Sequence, residues 1–232
     1  MTTGRQRSIL VLALLAMAWG GACSTQDAVA RPEGFVDVFD TIGRSCGGAA
    51  NTYECAKTVE QYRLAKGVPG VTRVGRRLSI AAKDGKVADF TDAKDPGAED
   101  YVAYAYTEHL GCVGYHLLHR QFADSEDYLL VHAENGSRID LPGVPVLAPD
   151  CGRLAVVSGL PYAESVLQIW RLNDTGRLTL EFGHQPDTAW TAGAPAWKDT
   201  TRLELPHATE DDPQTRRTLK VRLYTDGWRV EP

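Results

Sequence analysis

Hydrophobic and polar positions alternate in three different textures along this chain. Residues 9–19 are eleven uncharged, mostly apolar positions in a row. Residues 52–66 place Ala56, Val59, Tyr62 and Ala65 at spacing three, which predicts one helix with a single apolar stripe. Asn51 or Thr52 would cap that helix, and Gly67 and Pro69 would end it. From residue 71 onward, short apolar or alternating runs are cut at close intervals by turn residues. That is the texture of antiparallel strands.

Three of these runs read as hairpins. Leu78-Ser79-Ile80 and Val87-Ala88-Asp89-Phe90 flank Asp84-Gly85. Tyr128-Leu129-Leu130-Val131 and Arg138-Ile139-Asp140-Leu141 flank Asn135-Gly136. Val166 to Leu172 and Arg177 to Phe182 flank Asn173-Asp174-Thr175-Gly176, whose extra residue suits a bulged three-residue turn. Asp-Gly and Asn-Gly are strong hairpin signals because tight hairpin turns need positive φ. Residues 101–106 pair with 112–118 in this reading, and a final strand over 217–224 turns at Asp226-Gly227 into Trp228.

Glycines 85, 136 and 176 lie 51 and 40 residues apart. The segments Pro149-Asp150-Cys151-Gly152-Arg153-Leu154 and Trp197-Lys198-Asp199-Thr200-Thr201 are alike, and each precedes a strand. A repeat of about 40–50 residues built from short strands marks propeller blades. These segments resemble blades of TolB-like and WD-type β-propellers over about residues 71–210. Cys151 interrupts the Asp-Gly pair of that pattern, and residues 71–232 hold only three or four blades. The fold class expected is mainly β: an antiparallel meander with propeller-blade-like units and one N-terminal helix. A β-sandwich is the alternative.

The N-terminal run has a compartment attached to it. Arg5 and Arg7 precede it, and it is too short to cross a bilayer as a helix. One cleavage reading ends at Ala28-Val29-Ala30. The other ends directly before Cys23 and resembles a bacterial lipoprotein export signal over Gly21-Ala22-Cys23, departing from it at Gly20. That resemblance implies that Cys23 becomes the first mature residue and carries palmitate-type acyl chains. Ser24 resembles lipoproteins directed to the outer membrane. The domains expected are a signal peptide over 1–22, a tether over 23–33 and one β-rich domain over 34–232. The location is the cell envelope, anchored to the outer membrane and facing the periplasm. A secreted or soluble periplasmic protein is the alternative.

Composition bounds the rest. The 232 residues are 43% hydrophobic and 24% charged, which is globular rather than disordered. After residue 22 the chain holds 23 basic and 30 acidic residues, and its nearest basic run, Arg216-Arg217-Thr218-Leu219-Lys220, is short. Nucleic acid is not an expected partner. With Cys23 assigned to lipid, four cysteines remain, and local pairing favours Cys46–Cys55 and Cys112–Cys151 in an oxidising compartment. Their spacing fits no zinc pattern.

Catalytic groups do not converge in the sequence. There is no Gly-x-Ser-x-Gly elbow and no Ser-x-x-Lys pair. His116 and His119, three apart on a strand, point to opposite faces and make poor joint ligands. Ser158 with His132 or His184 and Asp150 is a triple with nothing to single it out. No metal or cofactor is expected. Trp190 and Trp197, on either side of a small-residue loop, are the candidate binding residues. The function expected is an exported, non-catalytic envelope protein that binds another envelope protein or a cell-wall component. An envelope hydrolase, or a glycan or small-ligand module, is the alternative.

Overall fold

The computed structural model describes residues 31–38, 42, 52–158 and 164–231. The export signal, Cys23 and Cys46 lie outside them. The described chain is mainly β, with sixteen strands in four antiparallel sheets, none closed, and the helix α1 (Thr52–Ala65). Sheet A holds β1 (Val71–Val74), β2 (Arg77–Ala81) and β3 (Val87–Thr91). Sheet B holds β4 (Val102–Leu110), β5 (Tyr115–Phe122), β6 (Glu126–His132) and β7 (Arg138–Leu141). Sheet C holds β8 (Pro145–Leu147), β9 (Arg153–Ser158), β10 (Val166–Leu172) and β11 (Leu178–His184). Sheet D holds β12 (Trp190–Ala192), β13 (Ala196–Trp197), β14 (Arg202–Thr209), β15 (Asp212–Tyr224) and β16 (Gly227–Glu231). Within sheets A, B and C every strand pairs with its neighbour in sequence. In sheet D both β12 and β13 pair with β14.

Three apolar layers hold the sheets face to face in the order A, B, C, D. Leu78, Ile80 and Phe90 of sheet A meet Tyr106, Leu118, Leu129 and Val131 of sheet B. The opposite face of sheet B, through Tyr115, Leu117, Tyr128 and Leu130, meets Leu147, Leu154 and Val156 of sheet C. Ala155, Leu167 and Ile169 then meet Trp190, Leu203, Leu205, Val221 and Trp228 of sheet D. This order explains the strand textures. Sheets B and C are buried on both faces, so Tyr128-Leu129-Leu130-Val131 and Leu154-Ala155-Val156 are continuous apolar runs. Sheets A and D bury one face each, and β2 and β14 alternate. Four layers replace the two-sheet sandwich of the alternative reading.

Each sheet ends in one glycine hairpin. Gly85, Gly136 and Gly176 sit between the last two strands of sheets A to C, and Gly227 opens the last strand of sheet D, all with positive φ. Asp84, Asn135 and Asn173 brace the first three turns by accepting a backbone N–H two residues on. The loops at Asp150 and Asp199 are also alike. Each carboxylate accepts the N–H two residues ahead, at 3.0 and 2.7 Å. Cys151 occupies the positive-φ place (φ 58°), and its disulfide to Cys112 ties sheet C to the β4–β5 turn of sheet B. Cys55, buried on α1, is disulfide-bonded.

The helix lies where its pattern put it, and its buried face keeps Ala56 and Val59 of the expected stripe but not Tyr62 and Ala65. Cys55, Ala56, Val59 and Glu60 are buried, whereas Tyr62 is 49% exposed and Ala65 is exposed. Steps of three advance about 300° around a helix, so four such positions drift across half the circumference. The buried stripe uses i, i+1, i+4 and i+5 and packs on β4.

Candidate functional site

A sheet edge that faces the protein interior must have its backbone groups satisfied. β4 is the edge of sheet B, and charged side chains of α1 and sheet A complete its ladder. Tyr104 N–H donates to Asp92 at 2.8 Å, and Tyr106 N–H donates to Glu60 at 2.7 Å. The Tyr104 carbonyl accepts from Lys57 at 2.7 Å and from Arg73 at 2.6 Å. Arg73 also bonds Glu60 and Asp92, each at 2.9 Å. Two cations and two carboxylates thus replace a missing strand. Farther along β4, Glu108 pairs with Arg63 of α1, and burial still pushes the Glu108 carboxyl up from its usual range.

Two histidine clusters flank sheet B. The first faces sheet A. His109 and His116 are cross-strand partners whose rings stack at 4.7 Å, and His116 Nδ1 lies 3.2 Å from the Tyr106 hydroxyl. They line an open cavity of about 360 Å³ whose rim carries the Lys83–Glu134 ion pair. Burial, then the neighbouring His109, pushes His116 down to about 4, so its imidazole is neutral at pH 7. The second cluster lies on the opposite face of β5. His119 Nε2 is 3.1 Å from Glu126, which also accepts from the Thr52 hydroxyl. Burial works to raise the Glu126 carboxyl, but the bonds from His119 and Thr52 outweigh it and hold the group below its usual range. Glu126 and Ser158 border a cleft of about 170 Å³ between sheets B and C that residues 192–195, from the end of β12 of sheet D onward, also line.

The residues singled out in the sequence fall in several places. His132 uses both ring nitrogens on backbone: Nε2 meets the Gly176 carbonyl at 3.0 Å, and Nδ1 accepts Glu134 N–H at 3.1 Å. His184 lies against Trp190, and Asp150 braces its own turn. Ser158, His132, His184 and Asp150 therefore serve four separate local roles. Trp190 is 3% exposed, donates its indole N–H to the Ser158 carbonyl at 2.9 Å, and leaves no open face for a sugar ring. Trp197 donates to the Val146 carbonyl at 2.9 Å and meets Trp228 edge-on. Both indoles clamp sheet D onto sheet C. Among the described residues, no three His, Cys, Asp or Glu side chains group to hold a metal, and no helix is long and apolar enough to cross a membrane.

The outward face of sheet D is the most unusual surface. β15 places Arg222 directly between Arg202 of β14 and Arg229 of β16. Like charges directly opposite one another in a sheet repel, yet three arginines form one cross-strand row. Their side chains are 56%, 50% and 62% exposed. Each has a carboxylate at its flank, from Asp199, Glu231 and Asp226 respectively. The exposed Tyr224 ring lies 5.5 Å from the Arg222 guanidinium and 5.6 Å from that of Arg229. Exposed pairs of this kind are worth about 0–1 kcal/mol, so an incoming anion can exchange with the resident carboxylates at small cost. The row is invisible in sequence because Arg202, Arg222 and Arg229 meet only through strand register.

No family model matches the chain, and neither the curated proteins nor the solved structures contain a significant match.

Proposed function

We propose that this chain is an exported, non-catalytic envelope protein that binds another protein through the outward face of sheet D. One observation carries the reading: an exposed arginine row with an adjoining tyrosine, on a chain whose acidic residues outnumber its basic ones by five. Arginine and tyrosine are enriched in protein interfaces, because each combines a large contact area with polar groups. The polar clusters elsewhere support the non-catalytic part. Glu60, Asp92 and Glu126 are bonded to groups that hold sheets and helix together.

In the same reading Cys23 is acylated and residues 23–33 tether the body to the outer membrane on its periplasmic side. Cys46 pairs with Cys55. The four sheets are blades of an open, propeller-like arc, a layout supported by the repeated glycine hairpins and by the matching Asp150 and Asp199 turns.

Site-specific cross-linking in the native host tests this. A photo-reactive residue replacing Lys220, on the outward face, should give a discrete protein adduct. The same residue replacing Val74, 80% exposed on sheet A, should not. Equal adducts at both positions, or none at Lys220, would remove sheet D as the binding face. An intact mass starting at Cys23 and carrying acyl chains would support the anchor. An unacylated chain starting at Arg31 would overturn it.

A further inference from the structure

β4 and β5 pair with one irregularity, and it changes what their face towards sheet A presents. The register slips between Tyr106 and Glu108, which leaves Thr107 as a bulge residue. Tyr106 and His109 are three apart, so in a regular strand they would point to opposite faces. The bulge turns His109 back to the side of Tyr106, and both meet His116 there. Keeping the bulge has a cost. Thr107 is 2% exposed, and its hydroxyl has no hydrogen-bond partner.

The two histidines have coordinating atoms to spare. His109 and His116 lie directly opposite one another, with ring centroids 4.7 Å apart and planes 25° from parallel. His116 is 6% exposed, and Tyr106 engages only its Nδ1. Among the described residues, no hydrogen bond reaches His116 Nε2 or either ring nitrogen of His109. Both rings border the open cavity of about 360 Å³, whose walls at Gly70, Gly111 and Gly114 carry no side chain. Glu134 borders the same cavity. Its carboxylate is turned to Lys83, so no three ligands group as the side chains stand. The Lys83 and Glu134 side chains are 72% and 57% exposed, and a pair so exposed exchanges at small cost.

We infer that His109 and His116 hold a divalent zinc or copper ion, with Glu134 drawn from Lys83 as a third ligand and water in the remaining position. Imidazole suits both ions. Two histidines and one carboxylate with an open position form a common zinc ligand set. Imidazole nitrogens about 2.0–2.1 Å from a tetrahedral ion lie about 3.3 Å apart. The stack therefore closes by about 1 Å on the ion, and His109, the exposed ring, is the one with room to move. The Tyr106 hydroxyl on Nδ1 fixes the His116 ring with Nε2 towards the cavity, as the outer partners of metal-bound imidazoles do. The ion ties β4 to β5 and to the loop after β6, away from the outward face of sheet D.

The test uses the exported chain without a histidine tag, with disulfides intact, at pH 7.5. Zinc chloride and copper sulfate are the probes. Calorimetry should count one zinc ion per chain. Electron paramagnetic resonance of the copper form should show two coupled imidazole nitrogens. His109→Phe keeps an aromatic ring at an exposed position. In chelator it should unfold at the parent's urea midpoint, and its zinc affinity should fall at least about tenfold. Glu134→Gln should weaken zinc binding by about threefold or more. Lys83→Gln frees the carboxylate and removes a repelling cation, so it should tighten binding. A purely structural role for these side chains predicts no such gain.

Four results would overturn the inference. Zinc affinity unchanged in His109→Phe would place the ion elsewhere. A copper spectrum with fewer than two nitrogens would break the histidine pair. Weaker binding in Lys83→Gln, or unchanged binding in Glu134→Gln, would remove the carboxylate as a ligand. No saturable binding at millimolar zinc would remove the site altogether.

Discussion

Removing the Glu60 carboxylate should expose how much the covered edge of β4 depends on charge. Glu60 is 3% exposed and accepts from the Tyr106 amide at 2.7 Å and from Arg73 at 2.9 Å. Glu60→Ala leaves that amide without an acceptor, at about 1–3 kcal/mol. It also leaves a largely buried guanidinium with one carboxylate instead of two. Breaking a buried pair from one side costs about 3–5 kcal/mol. Arg73 keeps Asp92 and the Tyr104 carbonyl, so the lower end applies and the expected loss is about 3 kcal/mol. For a domain of this size that lowers Tm by roughly 6–12 °C. Glu60→Gln retains an acceptor for Tyr106 and should lose only about half as much. Urea unfolding with disulfides intact measures both variants, and the slope with denaturant should not change. Adding Arg73→Met to Glu60→Ala removes the stranded charge, so the double variant should be at least about 1 kcal/mol more stable than additivity predicts. A Glu60→Ala variant within about 0.5 kcal/mol of the parent, or a strictly additive double variant, would refute the reasoning.

Other expectations follow from particular contacts. Replacing Cys112 and Cys151 together by serine opens a loop spanning 39 residues and should cost about 4 kcal/mol on the chain-entropy model, read as a lower urea midpoint. Gly143→Ala would put a methyl 2.1 Å from the Val157 carbonyl oxygen, so β8 must shift from β9; a loss of about 2 kcal/mol or more and altered amide shifts at Val157 are expected. His116 has a folded pKa of about 4, below the unfolded value of about 6.5. Its contribution is therefore fully present above pH 6.5 and is lost as pH falls towards 4, because the unfolded chain takes up the proton first. The fall from about 6.5 to about 4 corresponds to a loss of about 3 kcal/mol. His116→Phe should flatten urea midpoints across that window, and an unchanged slope would reject His116 as the source.

Much of the architecture was readable along the chain, for local physical reasons. Positive φ in tight hairpins demands residues such as glycine, so Asp84-Gly85, Asn135-Gly136, Gly176 and Asp226-Gly227 marked the last turn of each sheet. The helix expected over residues 52–66 and found over 52–65, and the Cys112–Cys151 pairing, were also legible, the first from its caps and breakers and the second from local pairing of the cysteines. The layer order was not legible, although continuous apolar runs such as Tyr128-Leu129-Leu130-Val131 are what a strand buried on both faces requires.

Tertiary structure decided what depends on residues far apart in the chain. Which residues join Ala56 and Val59 on the buried face of α1 turned on Glu60 meeting β4, and not on the full stripe at spacing three. The roles of Trp190 and Trp197 were set by the carbonyls of Ser158 and Val146, in a different sheet. The arginine row came from strand register, which brings Arg202, Arg222 and Arg229 side by side although the first two lie twenty residues apart. Hydrophobic periodicity encodes which residues turn inward. It carries no information on which outward residues become neighbours, because solvent-facing positions are free to vary until the strands are paired.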